Sequence, residues 1–369
     1  MLIFVTILVA VIVLAGVVFF KLKQNCNIFP NIGIVVAGAL IACTSVYFTR
    51  EGQIKVPEML HYQYTKMTYY EHWNEYIHKT CTEEHCSGSG KDRSCYTTSY
   101  DCSYVDDHPE RWEADDNVGN SMSISQSEYE MAKHLWANNT FVDMNRDYHS
   151  IDGDAYTTTM PDSANHPLSP RVLGYSREGS YRNKIVFSKS IFKFKDVSHD
   201  EDSAYGLYNW SGSSLMGINN SIASNLLDNA NYLYGYQDQI SLRMLVFKNK
   251  PQTAGFLQES KWNGGNKNEF NVCVGINDAN TIQWVKVISW TANEILKLEV
   301  RDSIYAMKQF DAVNVAKYMV TYVPKKFIRR EFKEFEYLPT PESPWLYLMG
   351  IGIVLVFGII AFFVRIDYE

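Results

Sequence analysis

Four cysteines lie close together in the polar segment KTCTEEHCSGSGKDRSCYTTSYDC, which runs from Lys79 to Cys102. Cys81, Cys86, Cys95 and Cys102 could form two disulfides with three possible connectivities, or their thiolates could bind zinc. The spacing C-x4-C-x8-C-x6-C lacks the C-x2-C pairs that make zinc signatures specific. We predict two disulfides, with a zinc site or free thiols as the alternatives, and the choice depends on whether the compartment is oxidising.

A second pattern could bind a hard cation. The window DMNRDYHSIDGD, Asp143 to Asp154, has oxygen ligands at positions one, three and five and a carboxylate at position twelve, as an EF-hand loop does. The glycine required at position six is replaced by Tyr148, and position twelve is not the longer glutamate. A solvated acidic loop is the favoured interpretation. A site for calcium or another divalent cation at Asp143, Asn145, Asp147 and Asp154 is the alternative, and no other cofactor is predicted.

Two further clusters combine carboxylates with a histidine, a set that can hold a divalent cation and activate a water molecule. The clusters are Asp106, Asp107 and His108, and His199, Asp200, Glu201 and Asp202. The sequence contains no nucleophile elbow, zincin helix, P-loop or dinucleotide-binding loop. Solvated loops are therefore the favoured interpretation of both clusters, and the sequence does not specify a reaction.

Three apolar segments must position these groups. The residues from Leu2 to Phe20 carry no charge, and at a helical rise of about 1.5 Å per residue they nearly span a hydrocarbon core of about 30 Å. A cleaved signal peptide is disfavoured because Lys21 and Lys23 follow the apolar run instead of preceding it. We predict transmembrane helices at 1–21, 30–49 and 344–365.

The basic residues beside the spans predict the orientation. Lys21, Lys23 and Arg365 place the first linker and the tail on the inner side of the membrane. A basic cluster before the third span opposes this orientation, but long domains translocate largely regardless of charge; its members are Lys325, Lys326, Arg329, Arg330 and Lys333. We predict an integral protein of the bacterial inner membrane with its main domain in the periplasm, where disulfides form.

Composition indicates which partners to expect. The net charge of −7 is mild, and no basic face interleaved with aromatic residues is present, so nucleic acid is not a predicted partner. The predicted domains are a Cys-containing α+β subdomain at 50–200, an α/β domain at 201–312 and a charged stalk at 313–343. Within the first, we expect a strand and then a short helix before Thr80, and a helix at Gln126–Ala137 capped by Ser125 with Glu128.

From residue 214 onward, hydrophobic periodicity predicts alternating helices and strands. The strands are Gln239–Phe247, Phe270–Ile276 and Ile282–Ser289, and the helices are Ser221–Tyr234, Thr253–Trp262 and Ala292–Met307. Gly235 is predicted to end the first helix in a left-handed conformation, and Thr291 to cap the last.

This order, together with the motif KWNGGNKNEFNVCVGI, resembles the TPM domain, a family of membrane-tethered extracytoplasmic domains. Trp262, Gly264, Gly265 and Asn268 occupy the places of the family's turn before an apolar strand, and the resemblance covers residues 214–310. It implies a mixed sheet with flanking helices and roles that range from phosphatase-like to scaffold. The sequence SWTANE departs from the glycine-rich turn that the family tends to have after its hairpin. The chain as a whole also resembles membrane proteins of bacteria and their phages.

Together these features predict an α+β protein in which three transmembrane helices bracket an extracytoplasmic domain. That domain contains a disulfide-stapled subdomain and a TPM-like mixed sheet with flanking helices. The predicted function is a membrane-anchored scaffold or adaptor for protein–protein assembly, with the lipid bilayer and either a protein partner or a second copy of the chain as partners. The alternative is a metal-dependent, phosphatase-like hydrolase.

Overall fold

The structure is a computed structural model, and it describes residues 2–23, 29–88, 93–137, 139–142, 154–183, 199–335, 337–338 and 344–363. The helices are α1 Leu2–Lys23, α2 Phe29–Gln53, α3 Gln126–Trp136, α4 His199–Tyr205, α5 Ser221–Tyr234, α6 Thr253–Lys261, α7 Glu294–Ala306, α8 Ala312–Tyr322 and α9 Pro344–Phe363. The strands are β1 Lys55–Tyr70, β2 Trp73–Ile77, β3 Thr80–Ser87, β4 Ser94–Asp101, β5 Tyr104–His108, β6 Arg111–Asp116, β7 Ser121–Ser123, β8 Asn139–Val142, β9 Ala155–Thr159, β10 Gly174–Arg182, β11 Leu215–Met216, β12 Ser241–Lys248, β13 Glu269–Ile276 and β14 Ile282–Ser289. The protein is therefore mixed α+β, as predicted.

The helices α1, α2 and α9 pack together as an apolar bundle. The segments Phe29–Gly52 and Trp345–Phe363 are each long and apolar enough to cross a membrane, and α1 contributes the shorter apolar stretch Thr6–Leu22. A Cβ on Gly38 would collide with the Phe357 side chain, so the missing side chain lets α2 approach α9 closely. Two candidate spans are therefore present by length and composition.

β1 is the central strand of the first sheet, whose order is β7-β6-β1-β9-β8. Its first half, from Lys55 to Gln63, pairs antiparallel with β10. Its second half pairs with β6 on one side and β9 on the other, and the register with β6 shifts between Tyr64 and Lys66. The two halves of this long strand thus pair with different strands.

The helix α3 packs against β1 and β9 and confirms the prediction made for Gln126–Ala137 within one residue. Its capping box is present: the Ser125 hydroxyl accepts from the Glu128 amide, and the Glu128 carboxylate accepts from the Ser125 amide. Tyr129 and Trp136 are buried against the sheet. Residues 73–77 form β2 instead of the short helix predicted there, because they pair along their whole length with β5.

The second sheet has the order β11-β12-β13-β14, with β11, β12 and β13 parallel and β14 antiparallel. The helices α5, α7 and α8 supply the apolar side chains against one face, where Val272 and Val274 lie. Cys273 faces the other side, where Ala254 of α6 packs. Every residue of β13 is buried, as expected of a central strand covered on both faces.

The three strands and three helices predicted in this half are all present, with ends that differ by at most two residues. Two details of the caps were predicted wrongly. Asn293, not Thr291, caps α7, because its side chain accepts from the Leu296 amide. Gly235 is right-handed, with φ −62°, and a side chain there would collide with His61, so glycine is required for close approach and not for a left-handed end.

The start of the predicted stalk at 313–343 is also corrected. Its first residues belong to α8, whose N-cap Asp311 accepts from two backbone amides, those of Val313 and Asn314. Val315 and Met319 of α8 are fully buried in the core of the second sheet. Their apolar side chains recur at helical spacing. Burying them against the sheet is more favourable than leaving them exposed to water in a stalk.

Candidate functional site

Residues 71–88 and 93–110 leave the first sheet as two chain segments that pair with each other, and the segment 71–110 is called here the arm. β2 pairs antiparallel with β5 next to the sheet, and the hairpin continues as β3 paired antiparallel with β4. Trp73 stacks on His108 in the first ladder, with ring centroids 4.2 Å apart. β4 is exposed along its whole length, and in β3 the side chain of Cys81 alone is half-buried. A two-stranded ribbon of this kind is only marginally stable by itself, so it needs further support.

Two disulfides supply that support. Cys81 is bonded to Cys102 and Cys86 to Cys95, which closes nested loops with sequence separations of 21 and 9. Cys86 lies directly opposite Cys95 in the ladder. Each bond stabilises the folded arm by about 2–4 kcal/mol in the chain-entropy picture. The prediction of two disulfides is confirmed, one of the three connectivities is selected, and sulfurs joined in this way are not zinc ligands.

The arm also carries most of the net charge of the chain. Residues 71–110 contain nine carboxylates and three lysines or arginines, whereas the whole chain has a formal charge of −7. Tyr96, Tyr100 and Val105 are each more than half exposed on this segment. Tyrosine offers a rigid apolar ring with a polar tip, which suits it to protein contacts. The arm is therefore an acidic surface with exposed aromatic rings.

The predicted cluster at Asp106, Asp107 and His108 lies on β5 of the arm. The Nε2 atom of His108 is 3.1 Å from Oε2 of Glu75 and 3.9 Å from Oδ2 of Asp106, and these three groups are close enough to share a cation. Asp107 instead pairs with His72 at 2.7 Å. The side chains are partly or largely exposed, and ion pairs between them already account for their proximity.

The second predicted cluster lies elsewhere, on α4. Its Asp202 carboxylate is paired with Lys261 of α6 at 2.5 Å, and the acidic residues stand in the first turn of the helix, where negative charge is favourable. The two clusters thus occupy different elements and have different partners. In the calcium-like window, Asp143, Asn145 and Asp147 lie outside the described residues, and the backbone carbonyl of Asp154 accepts a hydrogen bond from the amide of Glu71.

The four residues of the TPM-like motif form one turn between α6 and β13. Trp262 ends α6, and Gly264 and Gly265 follow with φ of +83° and +80°, a region that favours glycine. The Asn268 amide group donates to the carbonyl of Met59 at 2.8 Å. The motif therefore forms the turn at the start of β13 in the second sheet and connects this turn to β1.

This turn encloses a buried ion pair. Glu269 is fully buried, with Arg243 at 3.5 Å and hydrogen bonds from Trp210 at 2.7 Å and from Asn271 at 3.1 Å. Burial alone would raise the pKa of Glu269, but the Arg243 charge and these hydrogen bonds outweigh it and lower the pKa. A Cβ on Gly265 would lie 2.7 Å from the Glu269 carboxylate, so the glycine leaves room for the pair.

Two buried ionisable residues of β1 were not predicted from the sequence. His61 makes hydrogen bonds to the hydroxyls of Ser176 at 2.6 Å and Ser241 at 2.9 Å, and burial together with the nearby Arg243 lowers its pKa to about 3. Burial raises the pKa of Glu58, although Arg329 lies 2.7 Å away. A polar residue inside an apolar strand is the sequence signal for such a buried group. It does not identify the partners, because those of His61 are 115 and 180 residues away in sequence.

A cleft of about 790 Å³ lies between α3 and α5 and is lined mostly by apolar side chains. Its two carboxylates are already engaged. Glu128 completes the capping box of α3, and Asp228 has a raised pKa because it is buried, with hydrogen bonds from Ser214 and Ser224 opposing the shift. The lining therefore offers no pair of free carboxylates for acid–base chemistry.

No family model, no curated protein and no solved structure matches the chain. The function must therefore be argued from the geometry above.

Proposed function

We propose that the protein is a membrane-anchored scaffold whose outer domain presents the arm to a protein partner. The observation that carries the proposal is the arm itself, with its net negative charge, its exposed tyrosines and its two disulfides. A pre-ordered segment loses less conformational entropy on binding than a flexible loop does. The partner that fits this surface has a basic face, because opposite charge steers association and selects against acidic proteins.

The proposed location is the bacterial inner membrane, with the outer domain in the periplasm. The helices α2 and α9 support anchoring, and α1 packed beside them supports a bundle of three spans. Two disulfides on an exposed hairpin support an oxidising compartment. Lys21 and Lys23 in the last turn of α1 support the same orientation through the positive-inside rule.

The TPM-like fold remains part of the proposal. The parallel strands β12 and β13, the antiparallel β14 and the glycine turn at Gly264 and Gly265 support it. The hydrolase alternative has less support, because the acidic clusters at Asp106 and at Asp200 lie on separate elements of the described chain.

Site-specific photo-crosslinking tests the scaffold. A benzophenone amino acid replaces Tyr96 or Tyr100 in the full chain expressed in its membrane, and a matched control places it at Tyr305, an exposed tyrosine on α7. We expect light-dependent adducts of one discrete mass from the arm positions and none from Tyr305. Glu83→Gln combined with Glu84→Gln should weaken the adduct, as should raised salt, because both reduce electrostatic attraction.

The adducts identify the partner by mass spectrometry of the joined peptides. An adduct that contains peptides of this chain alone identifies a second copy as the partner. Equal adducts from Tyr305 and from the arm, or adducts that ignore both salt and the glutamine substitutions, contradict the proposal.

A further inference from the structure

A second cleft, of about 580 Å³, opens beside the end of β10, which pairs with the start of β1. Four cations and two carboxylates line it; they are Arg182, Lys267, Arg329, Arg330, Asp238 and Glu331. Burial raises the pKa of Asp238, and the cations outnumber the carboxylates in this lining. The chemistry of the lining therefore favours an anion.

Among the residues that line the cleft, Lys267 has the strongest need for a bound anion. Its side chain is 4% exposed and lines the cleft, and it makes no hydrogen bond or ion pair with any residue in the part of the chain that the structure describes. Its ammonium group lies 5.8 Å from the ring centre of Phe332. Burial, together with the nearby Arg329 charge, lowers its pKa, and the charges of Glu58 and Glu334 oppose this shift. An ammonium group on a side chain that is mostly removed from water and has no direct anionic partner is unfavourable, and an anion in the cleft would relieve this cost.

The two arginines near Lys267 are held in place by contacts with other residues of the domain. Glu58 holds Arg329 at 2.7 Å, and a second terminal nitrogen of Arg329 is buried without a hydrogen-bond acceptor. Arg182 stacks over the Phe332 ring, with 4.3 Å from its guanidinium carbon to the ring centre. One terminal nitrogen of each arginine pairs with a carboxylate, and the remaining N–H donors of a guanidinium fixed in this way can bind the oxygens of a phosphate.

The cleft lies next to the apolar helices. Arg182 forms an ion pair with Glu51 at 3.1 Å, and Glu51 stands in the last turn of α2. Phe332, which also lines the cleft, is twelve residues before the start of α9 at Pro344. Ligands that approach along a bilayer surface would thus reach this opening.

We propose that this cleft binds a phosphate group, with Lys267 and Arg329 as its deepest ligands and Arg182 at the rim. The phosphate belongs either to the headgroup of an anionic phospholipid or to a free phosphate. The lipid source rests on the membrane anchoring put forward above, whereas the phosphate chemistry does not depend on it.

Two probes distinguish the sources. The full chain, purified in a neutral detergent, is titrated with phosphatidylglycerol and, as the uncharged comparison, phosphatidylcholine, and bound lipid is read by native mass spectrometry. Inorganic phosphate is titrated separately by calorimetry. The variant is Lys267→Gln, and the matched control is Lys333→Gln, an exposed cation one residue from Phe332 that does not line the cleft.

We expect the wild type and Lys333→Gln to bind the same probe, and Lys267→Gln to bind it about tenfold more weakly, because one charge-assisted contact is lost. Preference for phosphatidylglycerol assigns the site to a lipid headgroup, and binding of inorganic phosphate alone assigns it to a free phosphate. Arg182→Gln, at the half-exposed rim, provides the same test if Lys267→Gln does not fold.

A wild-type chain that binds neither probe, or a Lys267→Gln chain that binds both as well as the wild type, overturns the site. The Tyr96 crosslink repeated in Lys267→Gln keeps the two proposals apart. If Lys267→Gln weakens lipid binding but leaves the arm adduct intact, the substitution affects the cleft and not the scaffold surface.

Discussion

His61 lies where the two sheets of the outer domain meet. It belongs to β1, its ring nitrogens reach Ser176 of β10 and Ser241 at the start of β12, and it is buried. A neutral imidazole has one donor and one acceptor nitrogen, and hydroxyls can rotate to satisfy both. A protonated ring would place a second charge beside Arg243 in a buried site, so the folded protein favours the neutral form.

Acid should therefore destabilise the junction through His61. Its pKa is lowered to about 3 in the folded state, so between that pH and about 6.5 the unfolded chain binds more protons. Stability from this group is present above pH 6.5 and is lost as the pH falls, by about 1.4 kcal/mol per pH unit. Chemical unfolding of the outer domain in the detergent-solubilised chain, at several pH values, measures the slope.

His61→Gln should flatten that slope between pH 6.5 and 4, because glutamine can bond both serines without titrating. His134→Gln, at an exposed position on α3, should keep the slope of the wild type. Identical slopes in His61→Gln and the wild type would show that folding does not lower the pKa of this ring.

Gly265 offers a second prediction at this scale. Gly265→Ala adds a Cβ at φ +80° and 2.7 Å from the Glu269 carboxylate, so it disturbs both the backbone and the buried ion pair. Gly119→Ala is the matched control, since Gly119 has φ +85° but open space around its Cβ position. We expect the control to cost about 1 kcal/mol from the backbone alone. Gly265→Ala should cost about 1–3 kcal/mol more, from overpacking.

Unfolding free energies from denaturant titrations of both glycine variants check this difference. Equal losses would mean that the Glu269 carboxylate moves aside without cost.

Among the elements, β13 is the strand on which the second sheet depends. Val272 is fully buried in the core formed with α5, α7 and α8. Val272→Asp places an unpaired charge there at a cost of several kcal/mol, against a total stability of about 5–15 kcal/mol. We expect the outer domain not to fold, seen as loss of the cooperative unfolding transition. Gln283→Asp, an exposed site on the neighbouring β14, should fold normally.

The second half of the chain could be predicted closely because its signals are local. Apolar residues at strand or helix period, bounded by glycine and asparagine, predict β12, β13, β14 and α5 to α7 from the local sequence alone. α8 has the same signal, with Asp311 as a cap and buried residues at helical spacing, and Pro324 after it marks its end rather than the middle of a stalk.

The arm and the junction could be predicted less well, because their contacts are long-range. Cysteine spacing predicts that disulfides form but does not select a connectivity. A polar residue such as Glu58 in an apolar strand is visible in the sequence, but Arg329, its partner, is 271 positions away. The cleft around Lys267 is likewise assembled from four separate segments.

For the whole molecule, the disulfides and the orientation can be tested together. Intact cells are treated with a membrane-impermeant maleimide before and after reduction, and the peptides containing residues 79–102 are analysed by mass spectrometry. We expect Cys81, Cys86, Cys95 and Cys102 to be blocked before reduction, because they are paired. They should be labelled after reduction if they lie on the outer side, as proposed. Cys273, which is fully buried, is the internal control and should stay unlabelled in both.

Labelling that requires cell lysis but no reductant would place the outer domain in a reducing cytosol. The zinc alternative for the four sulfurs would then take precedence over the disulfides.

The continuity of α2, β1 and the arm has a mechanical consequence. Ile54 alone separates the end of α2 from the start of β1, and the arm begins at the residue after β1 ends. A force pulling on the arm would therefore act along β1. The hydrogen bonds between β1 and its antiparallel neighbours are perpendicular to the strand, so they would resist this force together. No slack segment lies between this strand and the helix. With α2 in a bilayer and a partner bound to the arm, as proposed above, tension on the arm would be transmitted into the membrane through α2.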